Sequence, residues 1–246
     1  MALQDQINAI VAQQGGTETE DDLLTSPVVD QTDASSSNTC ERVELESGTV
    51  AFHKPFAGVA VRLADDYGHS DPDQVPIQEV AAWRLAAALG EPVSRLVCVC
   101  VLRSIDDEPG SLSLLVSGAT GSYEDSRMDT LARHTSTGAF FDSLTAQQDR
   151  HSGNLLYSAD ALGLIDHGFT FALPGHYCNA SHLVQWRFTN GDPTLTTWER
   201  DALTRLLRTD LLGGLRAILH TDRADALADR ARRMLASNQI LRMGVF

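Results

Sequence analysis

A chain of 246 residues with 43% hydrophobic and 21% charged residues holds enough apolar material for one large domain or two small lobes, which excludes a disordered chain. Its formal net charge of -14 argues against a nucleic-acid-binding face and against an anionic membrane surface, and favours cationic partners. No apolar run approaches the ~20 residues of a membrane span and the first residues lack signal-peptide features, so a cytoplasmic protein with no stable membrane association is expected.

Residues 1–34 carry Asp5, Glu18, Glu20, Asp21, Asp22, Asp30 and Asp33 and no basic residue, which predicts a mobile acidic lead. Within it Leu3, Ile7, Ile10 and Val11 have helical spacing suited to local docking. Residues 35–117 read as a smaller lobe of strands and one helix. Ser35 to Thr39 is a polar stretch that serves equally well as a linker or as a phosphate cover through its backbone N–H groups and hydroxyls. In the strand-like segment Thr49 to Pro55 stands Lys54, the one lysine among 19 basic residues. Where arginine otherwise supplies every cation, a lone lysine points to a site that needs a compact ammonium. A polar loop over Asp65 to Val75 then leads to a helix over Pro76 to Gly90, rich in Ala and Leu and closed by glycine. Glu79 in its first turns is the natural partner for Lys54.

The segment Leu96 to Leu102 reads as a buried strand with Cys98 and Cys100 on one face, and the four cysteines form no secreted disulfide framework. Gly110 to Gly118 reads as the last strand of this lobe, running into a connection at Val116, Ser117 and Gly118. From residue 118 to 246 helix dominates. Ser126 to Gln148 has helical apolar spacing and delivers the chain to Asp149-Arg150-His151-Ser152-Gly153-Asn154. Asp166-His167-Gly168 follows an apolar run from Leu162. Beyond it, His176, Cys178 and His182 are ligand types that zinc accepts, at a spacing that fits no standard motif and without a clear fourth ligand. Thr196 and Glu199 form a capping box, Gly213-Gly214 predicts a kink or break, and Thr221 to Ser237 is an amphipathic helix.

Asp149, Asn154 and Asp166 are the oxygen-bearing residues that phosphoryl transfer asks for: one carboxylate near the acceptor hydroxyl and two oxygen ligands for magnesium. The order D-x-x-x-x-N, apolar strand, D-x-G matches the kinase signature, in which the upstream lysine contacts phosphates and a helix glutamate orients it. Neither a G-x-G-x-x-G before Lys54 nor a Walker motif is present.

DRHSGN at 149–154 followed by LIDHGFTF at 164–171 resembles the catalytic and metal-binding loops of the phosphatidylinositol 3- and 4-kinase-like branch of the kinase superfamily. The Ser35 to Thr39 loop, His53-Lys54-Pro55 and Glu79 to Trp83 are similar to its small actinobacterial members, and the resemblance spans about residues 35 to 240. It implies an α+β, two-lobed protein-kinase-like fold, with a small β-rich N-lobe carrying one key helix and a helical C-lobe. It further implies ATP and magnesium as cofactors. Lys54 would contact the phosphates beneath a cover of Ser36, Ser37 and Asn38, Glu79 would orient Lys54, and Asn154 and Asp166 would bind metal. Backbone groups at Val116, Ser117 and Gly118 would bracket adenine. Asp149 and His151 are rivals for the base, with His151 favoured because histidine is the side-chain type that titrates near neutrality. The expected activity is transfer of the γ-phosphate to a hydroxyl, first of Ser or Thr in a peptide or protein. The alternatives are a natural-product or antibiotic kinase, a nucleotide-binding pseudokinase, and an adenylyl- or glutamyl-transferase on the same scaffold.

Overall fold

The computed structural model describes residues 2–35, 38–59, 73–120, 127–174 and 181–242. Five strands, β1 (Val28–Asp33), β2 (Glu41–Leu45), β3 (Val50–Pro55), β4 (Cys100–Ile105) and β5 (Glu108–Leu114), form an antiparallel sheet in the order β1-β2-β3-β5-β4. The two-residue alternation of β3 turns Ala51 and His53 to a buried face, where Ala51 packs with Val43, Leu45, Val101 and Leu112. It turns Phe52 and Lys54 the other way, into a cleft.

The helix read from the sequence is present as α3 (Gln74–Leu89), and it ends where Gly90 takes a φ of 77°. It packs across β4 and β5 and reaches the helical lobe.

Leu96 to Leu102 is not one strand. The backbone of Leu96 and Cys98 exchanges hydrogen bonds of 2.7 and 3.3 Å with Leu164 of the other lobe, and β4 begins only at Cys100. The first half of the predicted strand therefore splices the lobes, and only the second half joins the N-lobe sheet.

The acidic lead expected to be mobile is folded onto both lobes. It forms α1 (Leu3–Val11), α2 (Glu18–Thr25) and strand β1. Gln6, Ile10, Glu20 and Leu23 in this stretch are buried. Their partners lie far along the chain, so local composition gives no sign of them.

The second lobe begins with β6 (Ala119–Thr120), which joins β7 (Leu155–Tyr157) and β8 (Leu162–Leu164) in a small sheet. The helix predicted over Ser126 to Gln148 is divided into α4 (Arg127–Thr130) and α5 (Ala132–Thr145). The capping box of Thr196 and Glu199 opens α7 (Thr197–Arg208), after α6 (His182–Thr189). The predicted break falls earlier than Gly213-Gly214, at Thr209, whose ψ of 170° is extended. Both glycines lie inside α8 (Leu211–Ile218), where a Cβ on Gly213 would sit 2.4 Å from Asp210 Oδ1. The last helix, α9 (Thr221–Ser237), is as expected. No helix among the described residues is long and apolar enough to cross a membrane.

Candidate active site

Strand β3, helix α3 and the Asp166-His167-Gly168 turn bring together three residues that are far apart in sequence. Lys54 Nζ lies 2.6 Å from Glu79 Oε1 and 2.9 Å from Asp166 Oδ1. The other Glu79 oxygen accepts from Ser111 Oγ at 3.0 Å and Ser113 Oγ at 3.3 Å, both on β5, so the carboxylate is fixed from two sides. Burial disfavours the Lys54 ammonium, but the charges of Asp166 and Glu79 outweigh it and hold the pKa well above the ordinary lysine value. Burial likewise opposes Asp166 ionisation, and the adjacent Lys54 charge overcomes it, leaving this carboxyl below its usual range. Glu79 is pushed up by its burial and by the like charge of Asp166, against the pull of Lys54. Two carboxylates share one cation, an arrangement suited to giving part of that cation to an incoming anion.

The turn needs its glycine. A Cβ on Gly168 would meet Val75 Cγ1 of α3 at 2.4 Å and Glu79 Oε1 at 3.6 Å. Gly168→Ala should therefore push the helix from the turn and cost about 1–3 kcal/mol by overpacking, measurable by urea denaturation. An unchanged midpoint would show that the helix and turn are not packed this closely. Asp166 itself has φ 60°, a left-handed conformation that aspartate tolerates better than most residues.

Below the turn, Arg150 organises the 149–154 loop. Its guanidinium pairs with Asp142 of α5 at 3.2 Å, both side chains being fully buried. It also donates to the carbonyls of Asn154 at 3.2 Å and Ile165 at 2.5 Å and to His167 Nδ1 at 3.1 Å. Arginine can only donate, so Nδ1 accepts and the His167 proton resides on Nε2, which faces the Leu164 carbonyl at 3.2 Å. Burial, reinforced by the Arg150 charge, holds the His167 pKa well below the ordinary value. Burial also lowers that of His53, with Glu41 offsetting only part of the effect.

Both histidines are therefore neutral in the fold and protonate in the unfolded chain once pH falls below about 6.5. The stability they contribute is fully present above that value and is lost as pH drops toward their folded pKa values. The urea midpoint should fall between about pH 6.5 and 5, with a limit of about 1.4 kcal/mol per pH unit for each histidine. His167→Gln should flatten the slope by one such contribution. The same slope in that variant would contradict the assignment.

In the loop itself, Asn154 Nδ2 donates to the Asp149 carbonyl at 2.8 Å, which leaves Asn154 Oδ1 as a ligand atom. His151 Nδ1 accepts from the Gly153 N–H at 3.0 Å, so the neutral ring carries its proton on Nε2, 4.0 Å from Asp149 Oδ2. The cleft above encloses ≈ 220 Å³ and is walled by Asn38, Phe52, Lys54, Val116, Ile165 and Asp166 among others. Of the residues expected there, Ser117 and Gly118 do not line it. Gly118 instead lies against the backbone of Leu156 and Tyr157, its Cβ position being 3.0 Å from the Tyr157 carbonyl oxygen. Ser36 and Ser37 lie outside the described residues, as do His176 and Cys178 of the zinc-type cluster.

Sequence reasoning missed Asp142, Cys40 and Cys98. The two thiols line the cleft, and burial pushes them up to about 11 and about 12 respectively. It also missed Thr17-x-x-Glu20, whose capping-box pattern was present to be read: Glu20 N donates to Thr17 Oγ1 at 3.1 Å. A larger hollow of ≈ 950 Å³ lies beside Trp186 and Trp198 and contains none of the motif residues.

Magnesium bound with a nucleotide takes one or two protein oxygens and completes its shell with phosphates and water. Asn154 Oδ1 and the Asp166 carboxylate, whose side chain keeps 38% of its surface exposed, are such a pair. Among the described residues no cluster of three or more His, Cys, Asp or Glu forms a self-sufficient metal cage. The donor set thus fits a metal carried in with phosphates.

A β-rich lobe with one glutamate-bearing helix, a helical lobe, and a Lys-Glu-Asp cluster at their junction define a protein-kinase-like fold. The Golgi casein kinase has it too: 96% of this chain aligns with 76% of that chain at a TM-score of 0.57 and 14% identity. CtkA, a proinflammatory kinase of Helicobacter pylori, aligns over 89% of this chain and 95% of its own at a TM-score of 0.47 and 11% identity. A Mycobacterium tuberculosis protein solved with erythromycin aligns over 72% of this chain and 54% of its own, with a TM-score of 0.36 and 15% identity. No protein-family model matches the sequence, and no curated protein sequence matches it.

Proposed function

We propose that this chain is an ATP- and magnesium-dependent phosphotransferase that moves the γ-phosphate to a hydroxyl. The observation that carries the reading is the Lys54 ammonium held between Glu79 and Asp166 at the wall of the cleft. Lys54 would hold the ATP phosphates, Glu79 positions Lys54, and Asn154 Oδ1 with Asp166 would hold the metal, which would supply charge neutralisation for the transferred group. Val116 lies at the adenine end, between the end of β5 and β6, where the lobes divide.

Asp149 takes the role of base. His151, the choice that residue type favours, has the one lone pair of its neutral ring engaged by the Gly153 N–H. In its motifs the chain resembles the phosphatidylinositol 3- and 4-kinase-like branch and its small actinobacterial members. The net charge of -14 turns the substrate from lipid toward a cationic acceptor. Ser or Thr in a basic peptide is the first choice, and a small aminated natural product the second.

The test is transfer from γ-labelled ATP to a panel of basic peptides and aminated small molecules, with the mass of each product read. Addition of one phosphoryl group supports the reading; addition of an adenylyl or glutamyl group, or nucleotide binding with no transfer to any acceptor, contradicts it.

A further inference from the structure

We propose that Glu20 is a positioning residue for the Lys54–Glu79 pair, and that residues 3–25 form an internal brace holding the Glu79 helix against the cleft. Glu20 is 2% exposed, and its Oε1 accepts both Trp83 Nε1–H at 2.9 Å and Arg84 Nη1 at 2.7 Å. Trp83 stands one helical turn beyond Glu79, on the same side of α3. The other Glu20 oxygen is held by Thr17 Oγ1 at 3.2 Å, so the carboxylate is fixed before it meets the helix. Arg84 also donates to the Gln13 carbonyl, which ties the same helical turn to the link between α1 and α2.

The brace has two more attachments. Gln6, fully buried, uses one amide proton on Gln74 Oε1 at 3.0 Å and the other on the Ile218 carbonyl at 2.7 Å. One side chain thereby joins the first residue of α3 to α8 of the helical lobe. Gln14 brackets the outer edge of β4, accepting from Leu102 N and donating to its carbonyl, both at 2.9 Å. That occupies backbone groups an edge strand would otherwise expose.

In kinases the placement of the glutamate helix decides whether the Lys–Glu pair is assembled. Here the helix is anchored in its first turn and near its middle by one N-terminal segment. A segment serving stability alone has no need to reach this helix at two points with buried polar groups, each of which must be fully paired to be tolerated.

Lys54 offers a direct readout because it is the only lysine in the chain. Acylation by a small amine-directed reagent, followed by peptide mapping, measures how accessible this one side chain is. The catalytic consequence rests on the phosphotransferase reading, but acylation is read without nucleotide, so the two fail separately. Glu20→Ala should accelerate Lys54 acylation several-fold, because a helix released from its brace uncovers the amine that Glu79 now holds at 2.6 Å. The isosteric Glu20→Gln should accelerate it less, and carries the test if Glu20→Ala does not fold. Thr196→Ala, which removes the α7 cap in the helical lobe, should leave the rate unchanged when compared equally far below its own melting midpoint. No acceleration in the Glu20 variants, or equal acceleration in Thr196→Ala, would overturn the proposal.

Discussion

Asp166→Asn should lower phosphate transfer by at least about 10²-fold and abolish metal-dependent nucleotide binding, while the protein still folds. The substitution removes the charge that Asp166 contributes to the metal, yet Lys54 keeps Glu79 at 2.6 Å, so no buried cation is left without a counter-charge. Asparagine also accepts the φ of 60° found at this position. Transfer rates with saturating magnesium and a melting curve for the same sample separate chemistry from folding. Full activity in a folded variant would place the metal elsewhere.

Arg150→Ala should be the most damaging change to stability, costing about 3–5 kcal/mol in urea denaturation. It leaves Asp142, already pushed up by burial against the attraction of Arg150, without its cation, although Ser181 Oγ still donates to it at 2.7 Å. It also releases the carbonyls of Asn154 and of Ile165, the residue before Asp166. The double variant Asp142→Ala/Arg150→Ala should lose less than the sum of the singles, because each partner's loss exposes the other. By comparison Arg216→Ala, which breaks an exposed pair with Asp225, should change stability by no more than about 1 kcal/mol. Equal costs for Arg150→Ala and Arg216→Ala would show that the loop does not depend on the buried pair.

The parts legible in sequence were those whose meaning is local or set by motif order. Lys54 stood out by composition, Glu79 by its helix, and Asp149, Asn154 and Asp166 by their spacing; the structure joins Lys54, Glu79 and Asp166 directly. Thr196 and Glu199 announced a helix start because a capping box is a four-residue pattern. Glu20 was invisible for the opposite reason. In a run of acids it looks like solvated charge, and its partner Trp83 is 63 positions away. Asp142 sits inside an apolar helix with its arginine eight positions on, past a loop, where no periodicity links them. The segment Leu96 to Leu102 reads as one apolar run, since a hydrophobic pattern records burial but not which of two sheets supplies the hydrogen bonds.

Binding of ATP with magnesium in the Lys54–Asp166 cleft is tested by a melting curve of the wild-type chain with ATP, with and without the metal. At 100 times the dissociation constant, about 2.7 kcal/mol of added stability is expected. That gain should shrink on chelation of the metal and its metal-dependent part should be absent in Asp166→Asn. No rise at saturating ATP and magnesium, or a rise indifferent to both metal and Asp166, would contradict it.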